Sequence, residues 1–280
     1  LGHLTVSPYF FARLCYPSQM LLAIDSGNTN VVFAVFGVDG SNAGKVLGEW
    51  RSSTASNRTA DEFGVWLLRV LEMAGIKPAD ISAAIIATVV PANLFALTQL
   101  CVKYFNATPL VVGEAGVELG IGIKLANRAE IGADRLVNAV AAVESYGGPL
   151  ICIDFGTATT FDVIDADGDY AGGAIAPGIN LSLEALHMAA AKLPRVAVER
   201  PERVIGTDTI SAMQSGIYWG YVAMIEGLVK RIQDEYGAPM KIIATGGLAG
   251  MFAKATDVIE QTDKDLTLRG LYAIFKRNRS

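Results

Sequence analysis

Histidine is almost missing from this sequence: His3 and His187 are the only two in 280 residues. That excludes a zinc site built on several imidazoles and leaves little room for a histidine-based triad. His187 lies in a helical-looking stretch, Leu181-Ser182-Leu183-Glu184-Ala185-Leu186-His187-Met188, where a lone histidine packs or faces solvent. Acid–base chemistry therefore falls to carboxylates. Cysteine is nearly as scarce. Cys15, Cys101 and Cys152 form no C-x-x-C pair and leave an odd count, so the expectation is a reduced, cytoplasmic protein with buried thiols. Positive charge is not in excess either. A net charge of -5 argues against a nucleic-acid partner, because a phosphate backbone calls for clustered Lys and Arg. Any anionic ligand has to be met locally, by backbone N–H groups, metal ions and a few placed cations. An unbroken membrane-length apolar run is also missing. The longest, 81–102, carries Ser82, Thr88, Asn93, Thr98 and Gln99 and is interrupted at Pro91. It reads as a buried strand (83–89) and a helix opening near Pro91, so no membrane partner is expected.

Apolar residues are plentiful. At 51% hydrophobic over 280 residues, the chain can bury a core without disulfides. Residues 1–19 stand apart, with no periodicity, Pro8 and Pro17 within them, and no Lys or Arg before Arg13. They do not match a secretory signal. Met20 sits directly before the first strand, and the expectation is that 1–19 is an upstream extension without a functional role.

Two stretches repeat one another. Leu21-Leu22-Ala23-Ile24 runs into Asp25-Ser26-Gly27-Asn28-Thr29-Asn30, and Leu150-Ile151-Cys152-Ile153 runs into Asp154-Phe155-Gly156-Thr157-Ala158-Thr159-Thr160. Apolar residues resume in each (Val31-Val32-Phe33, Phe161-Asp162-Val163-Ile164) before a turn at Asp39-Gly40 or Asp167-Gly168. A strand, a glycine-permitted turn and a return strand let a backbone wrap closely around phosphate. A carboxylate at the strand tip can hold a metal ion or its water shell. One copy per half points to a duplicated fold that clamps a nucleoside triphosphate between its halves.

Along the first half the expected elements are strands at 21–24, 31–37 and 46–51, then a helix announced by the capping box Thr59/Glu62 and stopped by Gly75. The 83–89 strand, its helix to about 104 and a strand at 110–113 complete a mixed sheet with helices on it, an α/β unit. An irregular loop, 114–131, leads to Gly132-Ala133-Asp134-Arg135 and a helix over 135–146. In the second half, helices are expected around 179–191 and 211–235 and a strand at 241–244. Gly172-Gly173-Ala174-Ile175-Ala176-Pro177-Gly178 reads as a donor-rich loop, and 276–279 as a solvated basic tail.

Each candidate has a plainer alternative. Asp25 can be an Asx-turn residue, although the copy at Asp154 favours phosphate. Asp134 at a helix mouth can be an N-cap, or the base that takes a hydroxyl proton in phosphoryl transfer. Arg135 can be a surface cation or can fix a substrate carboxylate. Thr245-Gly246-Gly247 can be a simple turn or an adenosine-side contact.

Taken in order, Asp25-Ser26-Gly27-Asn28-Thr29-Asn30, Gly132-Ala133-Asp134-Arg135, Ile153 to Thr160, the 172–178 run, Ala191-Lys192-Leu193-Pro194 and Thr245-Gly246-Gly247 resemble the motifs of type III pantothenate kinases. These are acetate-and-sugar-kinase/Hsp70/actin-type enzymes that open coenzyme A synthesis, and the resemblance spans nearly everything from Met20 to Leu271. It implies an α/β fold of two duplicated ribonuclease H-like domains of the actin-like ATPase superfamily, divided here as 20–134 and 135–280. It implies ATP binding at Asp25, Ser26, Gly27, Asn28, Thr29, Asn30, Val31, Val32 and Thr157. Pantothenate binding is implied at Gly132, Ala133, Asp134, Arg135 and Thr209, with Asp134 as proton acceptor. Magnesium would sit at Asp25, directly or through water, and a monovalent cation, potassium or ammonium, at Asp154. The family also works as a homodimer, with the substrate pocket near the interface. Where relatives often carry Tyr-x-Asn-Pro before the Gly-Ala-Asp-Arg step, this chain reads Leu125-Ala126-Asn127-Arg128. The missing phenol removes a hydrogen bond of about 1 kcal/mol. Two other functions fit the same residues: a kinase or phosphohydrolase of the superfamily acting on another small molecule, and a binding protein that kept the fold and lost catalysis. Three intact carboxylates (Asp25, Asp134, Asp154) speak against the second.

Overall fold

Residue alternation along the two repeated strands decides how the layers stack. The computed structural model describes residues 19–55, 57–189 and 194–279. A first sheet contains β1 (Met20–Ser26), β2 (Asn30–Gly37), β3 (Val46–Ser53), β4 (Ile81–Thr88) and β5 (Pro109–Val111), in the order β3-β2-β1-β4-β5. A second contains β6 (Leu150–Phe155), β7 (Ala158–Ile164), β8 (Tyr170–Pro177), β9 (Lys241–Gly246) and β10 (Gln261–Thr262), in the order β10-β9-β6-β7-β8. In both, the first three strands form an antiparallel meander and the last two add in parallel. The duplication expected from two short motifs is a duplication of whole sheets.

Helices α1 (Ala60–Met73) and α2 (Pro91–Phe105) cover the outer face of the first sheet, where Leu22, Ile24, Phe33 and Ile86 meet Phe63, Leu67 and Leu97. The alternate residues, Leu21, Ala23, Phe36 and Ile85, face inward onto α3 (Ala133–Tyr146) and α7 (Leu266–Asn278). Leu150, Cys152 and Ile164 of the second sheet close the same central core from the other side. The outer face of that sheet, with Ile151, Ile153 and Phe161, packs on α5 (Thr209–Tyr236) and α6 (Ala249–Phe252), while α4 (Ile179–Ala189) leans on α5. Each fully buried Leu, Ile or Phe contributes about 1.5–3 kcal/mol relative to exposure. The strands carry so many of these that their register is firmly set, since a one-residue slip would exchange the two cores.

The helix starts follow local chemistry. Thr59 Oγ1 accepts the Glu62 N–H at 3.2 Å while the Glu62 carboxylate accepts the Thr59 N–H at 2.7 Å, completing the expected capping box of α1. Asp208 and Ser211 do the same for α5. Two expectations need correction. The 172–178 run is largely strand β8, paired along β7, because its neighbours supply the ladder that glycine propensity would not suggest. The 276–279 tail is not simply solvated. It ends α7, with Asn278 bonded to both the N–H and the carbonyl of Glu118 and Arg279 paired with Asp39 at 3.1 Å. Residues 1–18 and the motif residues Ala191, Lys192 and Leu193 lie outside the described residues.

Candidate active site

Alternation also aims the two repeated aspartates. Odd-numbered Leu21 and Ala23 face the central layer, so Asp25 at the end of β1 does too; Cys152 aims Asp154 the same way at the end of β6. Helix α3 lies between the sheets and begins at their carboxyl ends, bringing Asp134 in its first turn to both. All three carboxylates are half-buried. Burial, reinforced by repulsion from Asp134 and Asp154, pushes Asp25 up to about 7, with Arg51 pulling the other way. Burial and Asp134 push Asp154 up to about 6, against a lowering hydrogen bond from Asn138. Burial also raises Asp134, opposed by the Arg135 N–H, which donates to its Oδ1 at 2.7 Å. Three half-buried acids, two of them pushed up further by neighbouring carboxylates, make a site short of positive charge.

The turns after the two strands meet. Gly27 N–H closes the first turn on the Asn30 carbonyl at 2.9 Å, and Gly156 N–H closes the second on the Ala158 carbonyl at 3.0 Å. At their exposed tips the hydroxyls of Thr29 and Thr157 lie 2.8 Å apart. Asn28, Thr29 and Asn30 are exposed. Ser26 is instead buried, its hydroxyl accepting from Asn93 Nδ2 at 3.3 Å, and Val31 packs in the outer core. Those two positions offer a ligand only backbone. Gly246, at the end of β9, adopts φ +89, and a Cβ there would lie 2.6 Å from Asp154 Oδ1 and from the Phe155 carbonyl. The Thr-Gly-Gly step is thus needed for close packing against Asp154.

Gly132 is the residue preceding α3, so Asp134 is not its N-cap but sits within the first turn. Arg135 is not a loose surface cation: its Nε and Nη2 both reach Asp162 Oδ1 at 2.7 Å. Thr209 stands elsewhere, exposed at the start of α5, on an open apolar depression with Leu186, Ala212, Met213, Gly216 and Ile217. Sequence reasoning did not single out Asp162, Tyr170, Asn138 or Thr267. Tyr170 OH donates to Asp162 at 2.7 Å; Asn138 donates to Asp154 at 3.0 Å and accepts from the Thr267 hydroxyl at 2.7 Å. The available signal was an aspartate inside an apolar strand, and an asparagine one helical turn after Asp134 on a buried face.

The arrangement suits phosphoryl transfer, and comparison with known proteins decides which. The sequence profile of the type III pantothenate kinase family matches residues 21–231. The chain belongs to this family. A type III pantothenate kinase of Rhodospirillum rubrum is 65% identical over 259 residues, covering 92% of this chain and 99% of that protein. One from Caulobacter vibrioides is 56% identical over 262 residues, covering 93% and 98%. Among solved structures, a putative 2-dehydro-3-deoxygalactonokinase from Sinorhizobium meliloti superposes with TM-score 0.59 at 15% identity, covering 92% of this chain and 96% of that one. A putative Baf family transcriptional activator from Campylobacter jejuni gives TM-score 0.57 at 18% identity, covering 92% and 98%. These two share the duplicated ribonuclease H-like fold. The reaction of the chain is ATP-dependent phosphorylation of pantothenate, the opening step of coenzyme A synthesis. ATP and pantothenate are its substrates, with a divalent metal accompanying the nucleotide. Among the described residues no helix is long and apolar enough to cross a membrane.

Proposed function

We propose that ATP lies between the halves 20–134 and 135–280, its phosphates against Asp25, Ser26, Gly27, Asn28, Thr29, Asn30, Val31, Val32 and Thr157. The 2.8 Å approach of Thr29 and Thr157 is the observation that carries this, because it brings both glycine turns to one point. Pantothenate occupies Gly132, Ala133, Asp134 and Arg135. Asp134 accepts the proton of its primary hydroxyl as that oxygen attacks the γ-phosphorus, and the raised affinity of Asp134 for protons suits a base. The Arg135 N–H on Asp134 Oδ1 leaves Oδ2 for the hydroxyl. Arg135 itself faces the acceptor's carboxylate.

Three half-buried carboxylates with raised proton affinity fit cations well. Asp25 would hold magnesium, directly or through water, and Asp154 potassium or ammonium; bound there, they would offset phosphate charge. The chain's own contribution is mainly positioning, with α3 fixing Asp134 between the two strand tips.

Leu181, Leu186, Met188, Ile205 and Ile210 are exposed around α4 and the start of α5. A patch of this kind on a protein with well-filled cores suits a homodimer interface. Thr209, set on that surface, would then serve the acceptor site across the interface. The enzyme would work in the cytoplasm, where its buried free thiols Cys101 and Cys152 stay reduced. The test is phosphopantothenate formation from magnesium ATP and pantothenate, in potassium and then sodium buffer, by wild type and Asp134→Asn. Potassium-dependent product that is lost in the variant is expected. Near-normal turnover by Asp134→Asn would remove Asp134 from the mechanism, and equal rates in both buffers would remove the cation from Asp154.

A further inference from the structure

Asp162 is fully buried in the middle of β7, facing the central layer rather than a ligand surface. Burying a carboxylate costs several kcal/mol, and an ion pair around it often stabilises no more than an apolar replacement would. Its surroundings are nevertheless built to keep it. Oδ1 takes Arg135 Nε and Nη2, each at 2.7 Å, and the Tyr170 hydroxyl at 2.7 Å; Oδ2 takes the Thr160 hydroxyl at 3.0 Å. The Arg135 guanidinium also stands over the Tyr170 ring, 5.8 Å from its centre. Opposite Asp162 in the ladder is Gly173, where a Cβ would collide with the Phe161 carbonyl oxygen at 2.0 Å and would also crowd Arg135 Nη2 at 3.2 Å. Gly172 beside it adopts φ +138, a conformation that side-chain-bearing residues rarely take.

Arg135 is consequently held by one edge and one face. Among the described residues Asp162 is the guanidinium's only hydrogen-bonding partner, which leaves both N–H groups of Nη1 available. The side chain keeps 14% exposure to solvent. The same arginine supplies the backbone N–H to Asp134 Oδ1.

We propose that Asp162 is a positioning residue for acceptor recognition: it orients Arg135 so that the free guanidinium edge selects an acceptor bearing a carboxylate. This rests on Arg135 facing the acceptor's carboxylate, as set out above. Asp162 touches no substrate and acts only through Arg135. A merely structural aspartate would affect all substrates alike; a positioning one affects the anionic acceptor selectively.

The experiment compares pantothenate with its neutral alcohol analogue, in which the carboxylate is replaced by CH2OH, in wild type, Asp162→Asn, Arg135→Met and the double variant. Asp162→Asn keeps the shape and loses the charge. Expected is a 10- to 100-fold rise in KM for pantothenate, with kcat and the KM for ATP within about threefold, and kcat/KM for the neutral analogue within about twofold. Arg135→Met should lose the same discrimination, and the double variant should lose no more than Arg135→Met alone. Should Asp162→Asn fail to fold, Tyr170→Phe removes one of the three hydrogen bonds to Asp162 and should show the same selective loss, smaller in size. Retained discrimination in Asp162→Asn, or in a folded Tyr170→Phe when the former is not obtained, overturns the role of Asp162 provided Arg135→Met has lost it. If Arg135→Met discriminates as well as wild type, carboxylate recognition by Arg135 fails and the proposal fails with it.

Discussion

The side-chain hydroxyls of Thr29 and Thr157 meet at 2.8 Å across 128 residues of chain. Each belongs to the turn that follows the first strand of its own sheet, so this one contact registers the two halves against each other. A phosphate placed between these turns competes for the same hydroxyls. Thr157→Val, which keeps the branched shape and removes the oxygen, should raise KM for ATP about five- to tenfold, the worth of one hydrogen bond. KM for pantothenate should hardly move. Initial-rate kinetics with each substrate varied in turn checks this.

Asp134 is in a different position, because its effect should appear in turnover alone. Asp134→Asn should lower kcat by roughly 10²- to 10⁴-fold, with the nucleotide affinity measured by calorimetry unchanged within about threefold. A parallel loss of nucleotide binding would show a binding role instead.

The crowded carboxylates should also register in folding stability. Asp25 is pushed from 3.8 to about 7. Between those values the folded protein keeps a proton that the unfolded chain has released. Its contribution is therefore fully present below pH 3.8, falls as pH rises, and has gone above about pH 7. Asp25→Asn cannot ionise. Without nucleotide or added metal, its melting temperature relative to wild type should climb between pH 5 and pH 8. A difference that stays flat across that range would mean Asp25 ionises normally.

Gly246 offers a steric test of the Asp154 tip. With φ +89 and the Asp154 carboxylate 2.6 Å from an added Cβ, Gly246→Ala should cost on the order of 1–3 kcal/mol of stability. Urea unfolding measures this, and the dependence of activity on potassium concentration should shift in the same variant.

Ile205, four residues before the start of α5, is 82% exposed. If two copies pair through that surface, Ile205→Asp should yield a monomer in light scattering after gel filtration. Its acceptor KM should rise with concentration-dependent recovery. A dimer of unchanged stability would place the interface elsewhere.

What could be read in advance follows a physical division. The tips at Asp25 and Asp154, the capping box at Thr59 and the helix opening at Pro91 are written in neighbouring residues, and all were legible. Helix α7 was not. Its start at Asp265 lacks a side-chain cap, Gly270 interrupts it, and Lys276 and Arg277 resemble a tail. Gly270 is there because a Cβ would collide with the Val137 carbonyl of α3, a requirement of helix contact that no local pattern announces. The Arg135–Asp162 pair spans 27 residues and Asn138–Asp154 spans 16. Both depend on how α3 seats between the sheets, so Asp162 and Asn138 looked like ordinary residues until the strands were in place.

The return of α7 to the central layer has a bearing on how the chain is made. Leu271, Ile274 and Phe275 fill the core beneath β1 and β4, Tyr272 stacks on Phe36 at 5.1 Å, and Arg279 reaches back to Asp39. The first sheet is synthesised early, yet part of its inner face stays bare until α7, more than 150 residues after β5, has been added. During translation the first sheet must wait, partly uncovered, for α7 to arrive and finish it.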